Sequence, residues 1–128
     1  MKTITLEWIS KAEADWTMAR REIGARKSPS YDGVCFHSQQ CAEKYLKARL
    51  EEDGIPFSRT HNLVALLALV LPVEPLWIVL HPRLNALNSF AVIYRYPGAS
   101  ATKLEAKNAV KDCKEVRRLV RSVLGLSP

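Results

Sequence analysis

Apolar residues recur along this chain at intervals of three and four, the spacing that places side chains on one face of an α-helix. The first such series comprises Ile9, Ala12, Trp16, Ala19 and Ile23. It predicts a helix from Thr5 to Ile23, which Gly24 and Pro29 would end.

A second series occupies the inner line of a longer segment and comprises Val34, Ser38, Cys41, Tyr45 and Ala48. It predicts a helix over Tyr31–Glu52. Ser30 or Asp32 could cap the start of this helix, and the Gly54-Ile55-Pro56 sequence would end it.

Two shorter helices are predicted next. Thr60–Leu71 is apolar enough for a short helix capped by Thr60 or Ser58, and Pro72 would close it. Pro75 suits the first turn of a fourth helix that runs through Trp77, Leu80, Leu84, Leu87 and Val92. Pro82 lies inside this segment and should kink or split it, and Pro97-Gly98 would stop it.

The last helix is predicted from Ala101 to Leu124. Its apolar line comprises Ala106, Ala109, Cys113, Val116, Val120 and Val123. No segment alternates between apolar and polar residues as a strand would. We therefore predict an all-α fold, an antiparallel up-and-down bundle of four main helices plus a short connector helix, in a single domain spanning residues 1–128.

Composition and cysteine count narrow the class of protein. The longest apolar run, Leu63–Leu71, is far shorter than the roughly 20 residues that cross a bilayer. The N-terminus has no signal-peptide pattern, and the three cysteines form no disulfide framework, so we expect a cytoplasmic protein without a membrane partner. His37 and Cys41 could share a metal, but no further ligands accompany them, so we expect no metal and no cofactor.

The second helix carries two polar faces. His37, Gln40 and Lys44 share one of them, next to the core line, where an amide could bond a base or ribose while the ammonium meets a phosphate. The alternative for these residues is a solvated surface. Gln39, Glu43 and Lys47 form the other face, which we interpret as solvent-exposed, with an ordinary Glu43–Lys47 pair.

Three residues nearer the predicted helix ends are further candidates. His61 falls in the first turn of the third helix, where it could serve as an acid, a base or a phosphate donor, or be a structural histidine. Arg95 and Tyr96 precede Pro97 at the end of the fourth helix. The arginine could clamp a phosphate beside the tyrosine, or simply favour the helix C-terminus.

The last helix carries a basic stripe opposite its apolar line. The stripe comprises Lys103, Lys107, Lys111, Lys114, Arg118 and Arg121. The whole chain has a formal net charge of +6. The stripe is interpreted as a solvated outer face or as a docking face for RNA or an acidic protein. No aromatic residue interleaves with it, which argues against base stacking there.

Three short motifs together resemble the HEPN domain family, the "higher eukaryotes and prokaryotes nucleotide-binding" domain. They are the helix segment Gln39-Gln40-x-x-Glu43-Lys44-x-Leu46-Lys47-Ala48, the turn His61-x-Leu63, and Arg95-Tyr96-Pro97. The resemblance extends from Trp8 to Leu124. It implies a helical bundle in which Gln40, Lys44, His61, Arg95 and Tyr96 line a nucleotide or partner groove.

The resemblance also implies what the protein does. Short HEPN proteins resemble one half of a module whose other half is a minimal nucleotidyltransferase, often as the toxin of a toxin–antitoxin pair. We therefore expect a nucleotidyltransferase partner, nucleotide or RNA binding, and a homodimer.

Two alternatives stay open beside this expectation. HEPN ribonucleases carry an arginine and a histidine separated by four to six intervening residues, a motif that this sequence lacks. Metal-independent RNA cleavage would therefore need His61 and Arg95 to converge from separate helices or across a dimer. The other alternative is a non-catalytic dimeric scaffold that docks an acidic protein on the basic stripe.

Overall fold

A computed structural model describes all residues from Met1 to Pro128 and contains helices but no strands. Its five α-helices are α1 (Thr3–Ile23), α2 (Tyr31–Glu52), α3 (Leu63–Val70), α4 (His81–Leu87) and α5 (Lys103–Val123). Two 3₁₀-helices, Pro75–Leu80 and Asn88–Ala91, flank α4. The predicted all-α antiparallel bundle is confirmed.

Helix α2 is the centre of the bundle, because α1, α3 and α5 all pack against it. The predicted apolar lines form the core, apart from their ends: Ile23 is half-buried, and Val92 and Val123 are exposed. The buried lines of α1, α2 and α5 account for most of the interface between the three long helices. Burial of such a stripe supplies the main stabilisation of an amphipathic helix.

Local sequence signals define the starts of the two best-capped helices. The Ser30 hydroxyl accepts a hydrogen bond from the Gly33 backbone N–H at the start of α2. Thr102 and Glu105 form a reciprocal capping box at the start of α5. Each cap satisfies backbone donors that a helix start otherwise leaves unpaired.

The third helix begins later than predicted. Asn62 is its cap, and the side-chain oxygen of Asn62 accepts from the Ala65 N–H, while the Thr60 hydroxyl accepts from the N–H of Asn62. The prediction of Thr60 or Ser58 as the cap was therefore wrong. As a result His61 lies just before the helix rather than in its first turn.

The fourth predicted helix is not continuous. Pro82 lies in the first turn of α4, where its missing N–H is tolerated, so the segment divides into the 3₁₀-helix Pro75–Leu80 and α4. This is the split that the proline predicted. Helical structure ends at Ala91, however, so the prediction that Arg95 and Tyr96 occupy a helix end was wrong.

A polar cluster joins α1, α2 and α5. The guanidinium of Arg117 forms two 2.8 Å hydrogen bonds to the carboxylate of Glu13, and the hydroxyl of Tyr45 donates to the same carboxylate at 2.6 Å. Burial alone would raise the pKa of Glu13, but the hydrogen bonds from Arg117 and Tyr45 hold that pKa below its ordinary value. Burial, with the Glu13 carboxylate adding to it, raises the pKa of Tyr45.

None of the helices combines the length and the apolar character needed to cross a lipid bilayer. The three cysteines are buried and unbonded.

Candidate functional site

The site is centred on an exposed histidine held by a buried carboxylate. The side chain of His61 is 67% exposed, whereas that of Glu43 is 3% exposed. Nδ1 of His61 lies 2.9 Å from Oε1 of Glu43. A carboxylate only accepts hydrogen bonds, so Nδ1 carries a proton, and in the neutral imidazole the Nε2 lone pair is available to a ligand.

Glu43 belongs to a row of buried polar side chains on α2, the buried row, which consists of Gln39, Glu43 and Lys47. Lys47 Nζ donates to Glu43 Oε2 at 3.1 Å, so the carboxylate has a cation on one oxygen and the imidazole on the other. The Gln39 amide donates to the backbone oxygen of His61 at 3.0 Å and to Glu43 at 3.3 Å. The buried row therefore fixes both the backbone and the ring of His61.

The interpretation of these three residues as a solvated face was wrong. All three are less than 9% exposed, because the segment before α3 and the first helix cover them. The Lys47 ammonium also lies 5.4 Å from the centre of the Trp8 ring and 5.8 Å from that of Phe57. Cation–π attraction and the Glu43 ion pair together compensate for removing this charge from water.

His61 forms one end of an open groove of about 600 Å³, the His61 groove. The rest of its lining comprises Asn62, Asn85, Asn88, Ser89, Ala91, Val92 and Ile93. The amide of Asn88 bridges two elements, since its oxygen accepts from the Leu63 N–H at 2.8 Å and its nitrogen donates to Asn62 at 3.2 Å. The groove thus combines a histidine with several amides, which suits a polar ligand with both donors and acceptors.

The side chains of Gln40 and Lys44 have partners in different parts of the bundle. The Gln40 amide donates to Gln39 at 2.7 Å, and so joins the buried row beside His61. Lys44 instead forms a 2.5 Å ion pair with Asp15 of α1, which also bonds His37 at 2.7 Å. Lys44 is therefore neutralised within the chain, whereas Gln40 is placed close to the candidate histidine.

Arg95 and Tyr96 lie on the segment that links the second 3₁₀-helix to α5. Both are exposed, and the guanidinium of Arg95 lies 5.7 Å from the centre of the Phe36 ring. Arg95 lines a second groove rather than the His61 groove. The two residues proposed to act together, His61 and Arg95, therefore stand over the same helix but in neighbouring grooves.

Most of the predicted basic stripe faces outward. Lys103, Lys107, Lys111 and Lys114 are exposed, and Arg118 is paired with Glu115 on the same helix. Arg121 differs from the rest. Its guanidinium turns inward, donates to Tyr45 Oη at 3.0 Å and lies 3.6 Å from Glu13, so it belongs to the polar cluster of the bundle.

The sequence matches the HEPN domain over residues 5–123, which is nearly the whole chain. The protein belongs to the HEPN family.

Related proteins agree with this assignment. A protein of Methanocaldococcus jannaschii named "Putative toxin MJ1304" is 29% identical over 134 residues, covering 91% of this chain and 86% of that protein. The crystal structure of ST0689, described as an archaeal HEPN homologue, has a TM-score of 0.73 at 27% identity and covers 95% of this chain and 98% of its own. The crystal structure of TT1696 from Thermus thermophilus has a TM-score of 0.81 at 22% identity, covering 94% and 98%. That last likeness shows the fold alone.

Sequence reasoning missed the residues that hold this HEPN site together. Glu43 was interpreted as half of an ordinary surface pair, and neither Asn62 nor Asn88 was singled out. The spacing i, i+4 and i+8 places Gln39, Glu43 and Lys47 on one face beside the core line, but nothing in the sequence shows that other elements cover this face. The asparagine before the apolar run Leu63–Leu71 was, by contrast, a cap candidate.

Proposed function

We propose that this HEPN protein is the toxin component of a toxin–antitoxin pair and acts by binding a nucleotide or an RNA segment in the His61 groove. Family membership and the similarity to a protein named as a toxin support the toxin assignment. The observation that carries the ligand assignment is the exposed His61 imidazole oriented by buried Glu43. In an ordinary surface histidine, no buried carboxylate fixes the orientation of the ring.

The groove suits a nucleotide for chemical reasons. The amides of Asn62, Asn85 and Asn88 lie on the same surface as His61. Amides present a donor and an acceptor together, which matches the edges of nucleobases. A protonated imidazole would donate to a phosphate oxygen, and a neutral one would accept from a ribose hydroxyl through Nε2.

We further propose that the antitoxin is a nucleotidyltransferase that docks an acidic surface of its own against the basic stripe. The exposed part of this stripe is a row of positive charge about 16 Å long, at a rise of 1.5 Å per residue. It consists of Lys103, Lys107, Lys111 and Lys114. Such a row speeds encounter with a negatively charged partner.

Binding and toxicity test the proposal together. Growth would be followed after induction of the wild type, of His61→Ala and of Lys107→Glu/Lys111→Glu. In parallel, isothermal titration calorimetry would measure the binding of AMP, ATP and a short RNA to each purified protein. We expect wild-type toxicity and binding, and loss of both in His61→Ala, which is exposed enough to leave the fold intact. Wild-type protein that neither binds these ligands nor slows growth would refute the proposal.

The candidate partner is tested separately. A nucleotidyltransferase encoded beside this protein would be co-purified with the wild type and with the Lys107→Glu/Lys111→Glu variant. We expect co-elution in gel filtration with the wild type at low salt, and weaker co-elution with the variant. Equal co-elution of both would place the docking surface elsewhere.

A second function, metal-independent RNA cleavage, would depend on the His61–Glu43 pair without Arg95, because Arg95 lines the neighbouring groove. In that reaction Nε2 of His61 would take the proton of a ribose 2′-OH, whose oxygen attacks the adjacent phosphorus to form a 2′,3′-cyclic phosphate. The 5′-oxygen leaves and takes a proton from water. Glu43 would stabilise the imidazolium that forms. RNA incubated in EDTA should then be cleaved by the wild type and left intact by His61→Gln. Intact RNA with both proteins would exclude this function and leave the binding proposal standing.

A further inference from the structure

A second groove of about 340 Å³ lies beside the His61 groove and is lined mainly by aromatic rings. Three of its lining residues are Phe36, Phe90 and Tyr94, and we call this groove the aromatic pocket. Its polar lining consists of Asp32 and Arg95, and Gly33 contributes backbone without a side chain. A pocket of this size lies at the lower end of the range for small-molecule sites.

The rings of the aromatic pocket are held in place by contacts within the chain. Phe90 and Tyr94 stack with their centres 5.7 Å apart and their planes at 25°. The hydroxyl of Tyr94 donates to Glu105 of α5, a bond that raises the pKa of Tyr94 to about 12 and keeps the phenol protonated. Phe36 projects from α2 toward the guanidinium of Arg95. The pocket thus presents prearranged ring surfaces rather than loose side chains.

The polar residues of the pocket suit the edges of a nucleobase and its phosphate. Oδ1 of Asp32 accepts the Ala101 N–H at 2.7 Å, which fixes the carboxylate and leaves Oδ2 to accept from an amino group or a ribose hydroxyl. Arg95 already lies over a ring, the position in which a guanidinium both stacks and reaches a phosphate. Aromatic rings beside an arginine are a combination that binds single-stranded nucleic acid.

The two grooves share a wall. The segment Phe90–Arg95 contributes Val92 and Ile93 to the His61 groove and Phe90, Tyr94 and Arg95 to the aromatic pocket. On α2, Phe36 precedes Glu43 by seven residues, which is about 10 Å along the helix axis. One short oligonucleotide can therefore reach both places.

We propose that the aromatic pocket binds a nucleobase of a single-stranded RNA whose adjoining nucleotide lies in the His61 groove. This inference rests on the proposed function, because it names the class of ligand that the His61 groove receives. In this arrangement Arg95 binds the phosphate between the two nucleotides. Arg95 therefore does not need to lie in the same groove as His61.

The test is fluorescence anisotropy with a labelled RNA hexamer and with the same hexamer containing one abasic position. Each probe would be titrated with wild type, Phe36→Leu, Phe90→Leu and, as a ring removal outside both grooves and away from the buried row, Trp16→Leu. Thermal denaturation would establish that each variant is folded. Comparing the two probes on the wild-type protein tests the pocket without any substitution. The experiment is therefore informative even where a variant fails to fold.

We expect the abasic position and either pocket substitution to weaken binding about ten-fold, in line with the usual contribution of one stacked base. Because both changes remove the same contact, combining them should weaken binding no further, and Trp16→Leu should bind as the wild type does. If neither the abasic position nor the pocket substitutions changed the RNA affinity, the proposal that the aromatic pocket binds a base would be refuted and the proposed function would remain. Absence of any RNA or nucleotide binding by the wild type would overturn both.

Discussion

Replacing Glu43 alone should strongly destabilise the bundle, whereas replacing Glu43 and Lys47 together should restore most of the loss. Glu43 and Lys47 are 3% and 7% exposed at their side chains. In Glu43→Leu the Lys47 ammonium stays buried without its anion, and removing one partner of a buried pair costs about 3–5 kcal/mol. That is a large share of the roughly 5–15 kcal/mol by which a domain is stable.

The double variant Glu43→Leu/Lys47→Met replaces the pair with apolar side chains of similar length. Such replacements are often neutral or stabilising by about 1–4 kcal/mol. The His61 ring loses its anchor in both variants, so both should lose ligand binding although only the single variant is unstable. The pair of variants therefore separates the contribution of Glu43 to the fold from its contribution to the site.

Urea unfolding followed by tryptophan fluorescence would measure the free energy of unfolding of the wild type, Glu43→Leu, Lys47→Met and the double variant. The cycle should give a coupling free energy of about 2 kcal/mol or more between the two side chains. A Glu43→Leu variant that loses less than about 1 kcal/mol would refute the reasoning, because the pair would then behave as an exposed surface pair does.

Three further outcomes are expected. Thr102→Ala should lower the free energy of unfolding by about 1 kcal/mol through loss of the α5 cap, whereas Thr102→Ser should be near neutral, as urea unfolding would show. Leu84→Ala, at a fully buried position, should cost about 2–5 kcal/mol, and Leu76→Ala, at a position 82% exposed, should change the thermal midpoint little. The pKa of Glu13 is lower in the folded state than its ordinary 4.5, so its stabilising contribution is complete above that pH and is lost as the pH falls below it. Acid unfolding of Arg117→Met should show a smaller component of this kind, because only the Tyr45 and Arg121 contacts remain.

Each of these three has a result that would contradict it. Equal stability of the Thr102 variants would mean that the capping box contributes nothing. Equal costs at Leu84 and Leu76 would contradict the burial that distinguishes them. An unchanged acid transition in Arg117→Met would show that the guanidinium does not stabilise the Glu13 carboxylate.

The long helices could be predicted from sequence because their apolar spacing and their boundary residues indicate the same limits. Helix α2 has the predicted bounds, and α1 and α5 differ by no more than two residues at either end. The fourth helix was predicted too long at its C-terminal end. Val92 continues the apolar spacing, but it is exposed, so it does not provide the burial that would extend a helix past Ala91.

The site was less predictable than the fold. His61 and Arg95 were identifiable as candidates by residue type, but their separation into two grooves depends on tertiary packing. The interpretation of Glu43 was wrong for a related reason: a Glu–Lys pair at i, i+4 has the same sequence whether water or protein covers it. The packing of α1 and of the segment before α3 over α2 decides between the two.

The segment that carries Arg95 and Tyr96 is tied down on both sides of these residues. Before them, the Tyr94 hydroxyl bonds Glu105 on α5; after them, the Ala101 N–H bonds Asp32 on α2. A segment fixed at two points has fewer conformations to give up when a ligand arrives, so less of the binding free energy is spent on ordering it. Arg95 and Tyr96 therefore have nearly the restricted positions that a helix would give them, although their backbone is irregular.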